Sequence, residues 1–322
     1  MKINGLTEVM RLNVILITIV LGGLASGAVF FIFAPIINSG QSPHLAVRPP
    51  SEGQGAFLLP VSETNYSPVR DFNVPEPEID ARAAALFDIG SGRFLFAKNV
   101  NKRLPIASIT KLMTAIVILE SIDLEQIFTV PAESINVDGF GADLYKGERL
   151  TGGDLFKMML IKSSNDAALT LAAAARAGGI NLIEKMNQKA QDLSMYNTKF
   201  SDEAGLDDYN TFSTAADLVK LVLYADNHEL ILETLLEKSA DISSANGVTK
   251  HHLINTNQLL GQIPDFIIGK TGYTDNALGT MVLEAKISNG ADRIISVILG
   301  STDRFGETKK LIEWGKSAYS WE

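Results

Sequence analysis

The stretch Pro105-Ile106-Ala107-Ser108-Ile109-Thr110-Lys111-Leu112-Met113-Thr114-Ala115 decides how the rest of the chain is read. A serine followed three residues later by a lysine places a hydroxyl and an amine on one face of a helix. Ile109, Leu112, Met113, Ile116, Val117 and Leu119 supply the apolar spacing that buries the remainder of that helix, and Pro105 stands where a helix start tolerates it. An uncharged lysine amine beside a serine can take the hydroxyl proton and turn the oxygen into a nucleophile. The pattern alone is weak, because composition gives about one S-x-x-K in a chain of this size. An ordinary amphipathic helix fits it equally well.

Outward from this stretch, the 322-residue chain is large enough for one big domain or two smaller ones, and its 46% apolar content supports a substantial core. A net charge of −9 argues against nucleic acid as a partner. The absence of cysteine excludes a thiol nucleophile, thiolate metal sites and disulfides. Four histidines, His44, His228, His251 and His252, leave little for a histidine-rich metal centre, and neither a metal nor a cofactor is expected.

Toward the N-terminus, Met1–Arg11 reads as a short cytoplasmic tail. Leu12 to Val47 carries no charged residue, and its apolar part, Leu12–Ile37, is long enough to cross a bilayer once as a helix. A cleaved signal peptide is the alternative. The run Val29-Phe30-Phe31-Ile32-Phe33 after Ala25-Ser26-Gly27-Ala28 favours an uncleaved anchor, with the bulk of the chain on the extracytoplasmic side of the cell membrane. Residues 38–79, rich in Pro, Ser, Gly and acidic side chains, read as a linker, and 80–322 as the functional domain.

Within that domain, Ala83–Asp88 and Arg93–Lys98 flank Ile89-Gly90-Ser91-Gly92 as a hairpin. A helical middle follows. Helices are expected from Leu155 to about Lys162 with Asp154 as cap, over Asn165–Ala177, Ile180–Leu193, Ala215–Ala225 and Glu229–Glu237. Strand patterns return in Phe266–Gly272, stopped by the glycine, then in Gly279–Lys286 and Arg293–Gly300 around a turn at Gly290/Ala291/Asp292. Thr308–Trp321 closes as a helix. Strands from both ends enclosing a helical insert predict an α+β domain with an antiparallel sheet and an all-α subdomain.

Two further short motifs fall at element junctions. Ser163-Ser164-Asn165 lies between two expected helices, where capping is the plain explanation; S-x-N recurs at Ser134 and Ser244 without such a setting. Lys270-Thr271-Gly272, on a strand edge, combines a fixed cation, a hydroxyl donor and a close backbone approach. In the order S-x-x-K, S-x-N, K-T-G, the three resemble the signatures of penicillin-recognising serine acyl-transferases. Ser163-Ser164-Asn165-Asp166-Ala167-Ala168, Gly205-Leu206, Ser213-Thr214-Ala215 with Asp217, Asn255-Thr256-Asn257 before Leu259-Leu260, and Gly269–Thr274 narrow the resemblance to the D-alanyl-D-alanine carboxypeptidases.

That resemblance implies a β-lactamase/transpeptidase-like fold and the following roles. Ser108 is the acyl-forming nucleophile, Lys111 its base, and Ser163 a proton relay toward the leaving amine. Asn165 holds the substrate peptide, Lys270 tunes the field, Thr271 grips the terminal carboxylate, Gly272 lets the substrate approach the strand backbone, and the backbone N–H groups of Ser108 and Tyr273 form an oxyanion hole. The implied partners are peptidoglycan stem peptides as substrate and β-lactams as inhibitors. Thr256 stands where some relatives carry arginine, and Arg304 is read as solvated surface rather than a carboxylate ligand. A β-lactamase using Glu203 or Asp202 as water base, a D,D-endopeptidase and an inactive wall-binding protein stay open as alternatives.

Overall fold

The computed structural model describes residues 67–321 apart from 136–138, 140, 142, 207–209 and 288–291. The expected tail, the membrane helix Leu12–Ile37, most of the linker and the turn residues Gly290 and Ala291 lie outside the described residues. Among the described residues no helix is long and apolar enough to cross a membrane.

In chain order the elements are β1 (Val69–Arg70), β2 (Ala83–Asp88), β3 (Arg93–Lys98), α1 (Thr110–Leu119), β4 (Ile127–Thr129), β5 (Arg149–Thr151), α2 (Gly152–Ile161), α3 (Asn165–Ala177), α4 (Leu182–Asp192), α5 (Ala215–Ala225) and α6 (Glu229–Leu236). They continue with β6 (Ser239–Ser243), β7 (Lys250–Ile254), β8 (Phe266–Thr274), β9 (Leu278–Lys286), β10 (Arg293–Ser301), α7 (Arg304–Ala318) and β11 (Tyr319–Ser320). The fold is α+β, and its central sheet runs β3-β2-β10-β9-β8 with every neighbour antiparallel.

Both faces of the sheet are covered at its centre, so β2, β9 and β10 read as near-continuous apolar runs rather than alternating ones. On one face Met281, Leu283, Ala285, Ile294 and Ile298 pack with Leu311 and Ile312 of α7. On the other, Val282, Ile295, Val297 and Leu299 meet the helical half through α1 and α5. Helix α1 runs through the middle of that second core, and nine of its ten residues, Thr110 to Ile118, are buried. A large-to-Ala change in such a setting costs about 2–5 kcal/mol.

Several boundaries differ from expectation for identifiable reasons. Thr151, not Asp154, caps α2: its hydroxyl accepts the Asp154 amide at 3.0 Å and donates to the Asp154 carboxylate. Strand β8 continues past Gly272 to Thr274, because β9 pairs along its whole length. Helix α7 starts at Arg304, with Asp303 accepting the Gly306 amide, and ends at Ala318. The tyrosine that follows joins β11, which pairs with β1 (Val69↔Ser320). With the Trp314 indole donating to the Pro75 carbonyl at 2.8 Å, residues 69–79 belong to the folded body and not to a linker. The β6–β7 hairpin was not foreseen; Ser239–Ser243 and Lys250–Ile254 mix charge, hydroxyl and apolar residues too evenly to show a strand period.

Candidate active site

Three segments meet where α1 begins. The first is the turn before that helix. Ala107–Ile109 forms a single 3-10 turn, and Ala107 holds the left-handed conformation at φ 48°. Such backbone costs a non-glycine residue about 1–2 kcal/mol; here it leaves Ser108 partly buried at the cleft while Lys111 is fully buried. The Lys111 Nζ lies 2.8 Å from Ser108 Oγ, 2.7 Å from Asn165 Oδ1 and 2.6 Å from the Ala204 carbonyl. As an ammonium it donates to all three. Once neutral it has two N–H groups, matched by Asn165 and Ala204, and one lone pair left for the Ser108 hydroxyl to donate into.

The second segment is the α2–α3 junction. Ser163 sits at φ 60°, and Ser164 takes the capping duty, its hydroxyl accepting the Ala167 amide. Capping therefore explains Ser164 and leaves the Ser163 and Asn165 side chains turned to the cleft. The third segment is the edge strand β8. Lys270, buried, donates to Ser163 Oγ at 2.7 Å and to the Thr271 carbonyl at 3.1 Å. The Thr271 and Thr256 hydroxyls are 2.8 Å apart. Gly272 is required by proximity: a Cβ there would lie 2.8 Å from the Ser108 nitrogen and 2.5 Å from Thr280 Oγ1. Thr280 in turn donates to the Ile106 carbonyl, tying β9 to the turn before Ser108. Tyr273 follows, half exposed at the rim.

Electrostatics separate the two amines from ordinary lysines. Burial lowers the Lys111 amine to about 7, against the opposing pull of Asp202 and Asp166. Burial also drives Lys270 well below the usual lysine range, and the charges of Lys111 and Arg304 push it further. Two desolvated amines each facing a serine hydroxyl give a general base for one oxygen and a proton-handling partner for the other.

Arg304 departs from its expected place. It is partly buried, stacks on Phe305 with its guanidinium carbon 4.7 Å from the ring, and its buried Nε meets no acceptor. Burial lowers it, with Tyr273 opposing, so it flanks the cleft at the Tyr273 end. The clue was positional: the side chain opens α7 immediately after a strand that borders β9, a place helix periodicity alone does not reveal. The proposed water bases of a β-lactamase are engaged elsewhere. Asp202 accepts the amides of Ala204, Gly205 and Leu206 and the Thr211 hydroxyl, locking the loop that carries the Ala204 carbonyl. Glu203 lines a separate cleft with Ala172 and Arg176. His251 and His252 pair with Glu148 and Asp241.

A serine and a buried amine at hydrogen-bond distance, a second such pair beside them and an edge strand closing over the nucleophile define an active-serine hydrolase. The chain belongs to the D-alanyl-D-alanine carboxypeptidase family of serine peptidases, whose model matches residues 70–303. It is similar to the D-alanyl-D-alanine carboxypeptidase DacF of Bacillus subtilis, 29% identical over 273 residues, covering 82% of this chain and 69% of that protein. The D-alanyl-D-alanine endopeptidase of Haemophilus influenzae is 38% identical over 196 residues, covering 60% of this chain and 66% of its own. The chain thus spans about two-thirds the length of these relatives. Among solved structures, penicillin-binding protein D2 of Listeria monocytogenes in its ampicillin-bound form is 30% identical with a TM-score of 0.65, covering 75% of this chain and 99% of that one.

Proposed function

We propose that this chain is a serine-type D,D-carboxypeptidase that removes the terminal D-Ala from peptidoglycan stem pentapeptides through an acyl-Ser108 intermediate. The carrying observation is the 2.8 Å contact between Ser108 Oγ and the Lys111 amine, held at about 7 by burial. The free amine takes the Ser108 proton as Oγ attacks the penultimate D-Ala carbonyl. The backbone N–H groups of Ser108 and Tyr273 receive the developing oxyanion; one such donor is worth about 3 kcal/mol in the transition state. Ser163, backed by Lys270, returns a proton to the departing D-Ala amine, and Asn165 orients the peptide. Thr271 with Thr256, and Arg304 from α7, hold the terminal carboxylate. Water then clears the acyl group.

A β-lactam imitates the D-Ala-D-Ala end and acylates the same oxygen, with slow release. Crosslink cleavage is the second reading, favoured by the 38% identity to a protein named as an endopeptidase. In this proposal Leu12–Ile37 tethers the folded body that begins near Val69 outside the cytoplasmic membrane, the charge-free run being the support. The test is labelling by a fluorescent penicillin together with D-Ala release from diacetyl-Lys-D-Ala-D-Ala. The wild type should do both and Ser108→Ala neither; equal labelling of the two proteins would remove Ser108 from its role.

A further inference from the structure

A cleft of about 330 Å3 opens between the segment leading into β5 and the tip of the β6–β7 hairpin, lined by Tyr145, Lys146, Arg149, Ser244, Asn246 and Thr249. Its walls are fixed. Glu148, buried beneath it, accepts the Tyr145 amide on one carboxylate oxygen and contacts His251 of β7 through the other at 2.7 Å. The Ala245 amide donates to the Arg149 carbonyl at 2.7 Å, joining hairpin to strand. Asn246 Oδ1 takes the Ser244 hydroxyl and the Val248 amide, so only its Nδ2 donor is uncommitted among the described residues. Lys146 and Arg149 likewise pair with no carboxylate among the described residues. The uncommitted side-chain groups are thus two cations and an amide donor, beside the 61%-exposed ring of Tyr145.

The cleft wall is linked to the active site through Leu144 and Asp166. Leu144, just before Tyr145, donates its amide to Asp166 Oδ2, and Asp166 follows Asn165, the side chain bonded to Lys111. Leu144 and Asp166 thus tie the wall of the cleft to the helix start that carries Asn165. In the proposed reaction Asn165 orients the peptide on the amino side of the scissile bond, and the cleft wall is anchored to that residue's neighbour, Asp166. Three extended residues reach about 10 Å.

We infer that this cleft is a subsite for an oxygen-rich part of the substrate upstream of the scissile bond, its acceptor oxygens held by the donors of Lys146, Arg149 and Asn246 against the Tyr145 ring. The inference rests on the D,D-peptidase reading. Two sources of that chemistry exist: a free carboxylate on the stem peptide, as a γ-linked glutamate provides, and the sugar to which the stem is attached.

The experiment compares kcat/KM for diacetyl-Lys-D-Ala-D-Ala, a stem pentapeptide with γ-linked glutamate, and the disaccharide pentapeptide. The enzymes are the wild type and the variants Lys146→Ala, Arg149→Ala and Tyr145→Ala. Binding of the same three compounds to Ser108→Ala, with and without Lys146→Ala/Arg149→Ala, is measured in parallel. A gain of roughly tenfold on reaching the pentapeptide, carried by KM and erased in the cation variants while penicillin acylation is unchanged, assigns the stem carboxylate. A gain that appears only with the disaccharide and falls with Tyr145→Ala assigns the sugar. Equal efficiency and binding for all three compounds, or a gain that survives the substitutions, overturns the subsite. If the short peptide is not hydrolysed but the binding gain and its loss are seen, the subsite stands and the carboxypeptidase reading falls.

Discussion

Gly205 faces Ala107 so closely that a Cβ on the glycine would lie 1.9 Å from the Ala107 carbonyl oxygen and 2.9 Å from Thr110 Oγ1. Gly205 itself holds φ +74°. The loop that presents the Ala204 carbonyl to Lys111 is thus seated directly on the turn that presents Ser108. Gly205→Ala should cost at least about 2 kcal/mol of stability, from backbone strain plus displacement. It should also slow β-lactam acylation more than it shifts Tm, because both partners of the nucleophile move. Thermal melts beside stopped-flow acylation with a chromogenic cephalosporin separate the two effects.

In the proposed reaction the Ser108 proton passes to Lys111, and only a free amine can accept it. With that amine at about 7, the acylation rate should fall about tenfold per pH unit below the midpoint and level off above it. Stability moves in the same direction. The unfolded lysine holds its proton up to its ordinary value near 10.5, the folded one releases it near 7, so the unfolded state binds more protons between them and folding gains as pH rises through that window. Fluorescent-penicillin labelling rates across pH 5 to 9 test this; a flat profile would take the base role from Lys111.

Ser163→Ala removes the hydroxyl that accepts from Lys270 and leaves a buried amine facing a cavity. Turnover of the peptide should drop by about two to three orders of magnitude, the usual weight of a positioned proton donor. Acylation by a β-lactam, whose leaving amine stays attached, should suffer less. The ratio of the two losses, read from steady-state kinetics and labelling, distinguishes a relay from a packing role.

Away from the cleft, Glu284 is buried in β9, bonded to Arg293 at 2.9 Å, with its second oxygen unpartnered. Burial first, and then Asp226, raises its carboxyl to about 8 against the pull of Arg293. The folded state therefore keeps a proton that the unfolded chain loses near 4.5, and this contribution is complete below that value and lost as pH rises through 8. Glu284→Gln should leave stability at pH 5 within about 1 kcal/mol of wild type and flatten its decline toward pH 8, visible in urea midpoints taken across that range.

Much of this architecture was legible because its signals are local. The 3.6-residue spacing of Ile109, Leu112, Met113 and Ile116 marks α1, and the hairpin of β2 and β3 carries its own turn residues. The S-x-x-K, S-x-N and K-T-G stretches stand out by order, yet nothing in spacing alone brings Lys270 to Ser163, 107 residues away. What stayed hidden depends on partners distant in sequence. Strand β1 exists because β11 lies beside it, β8 outruns Gly272 because β9 pairs with it, and Arg304 is drawn in from the surface by where α7 starts. Local rules also misassigned a duty between neighbours, at Thr151 and Asp154, where two side chains were both chemically able to cap.

The enclosure of Thr110 to Ile118 on all sides bears on how this enzyme answers antibiotic selection. Substitutions along that helix sacrifice the fold before they can discriminate a drug from a stem peptide. Escape is therefore channelled to the rim, to positions such as Tyr273, half exposed beside the cleft, that contribute little to the core.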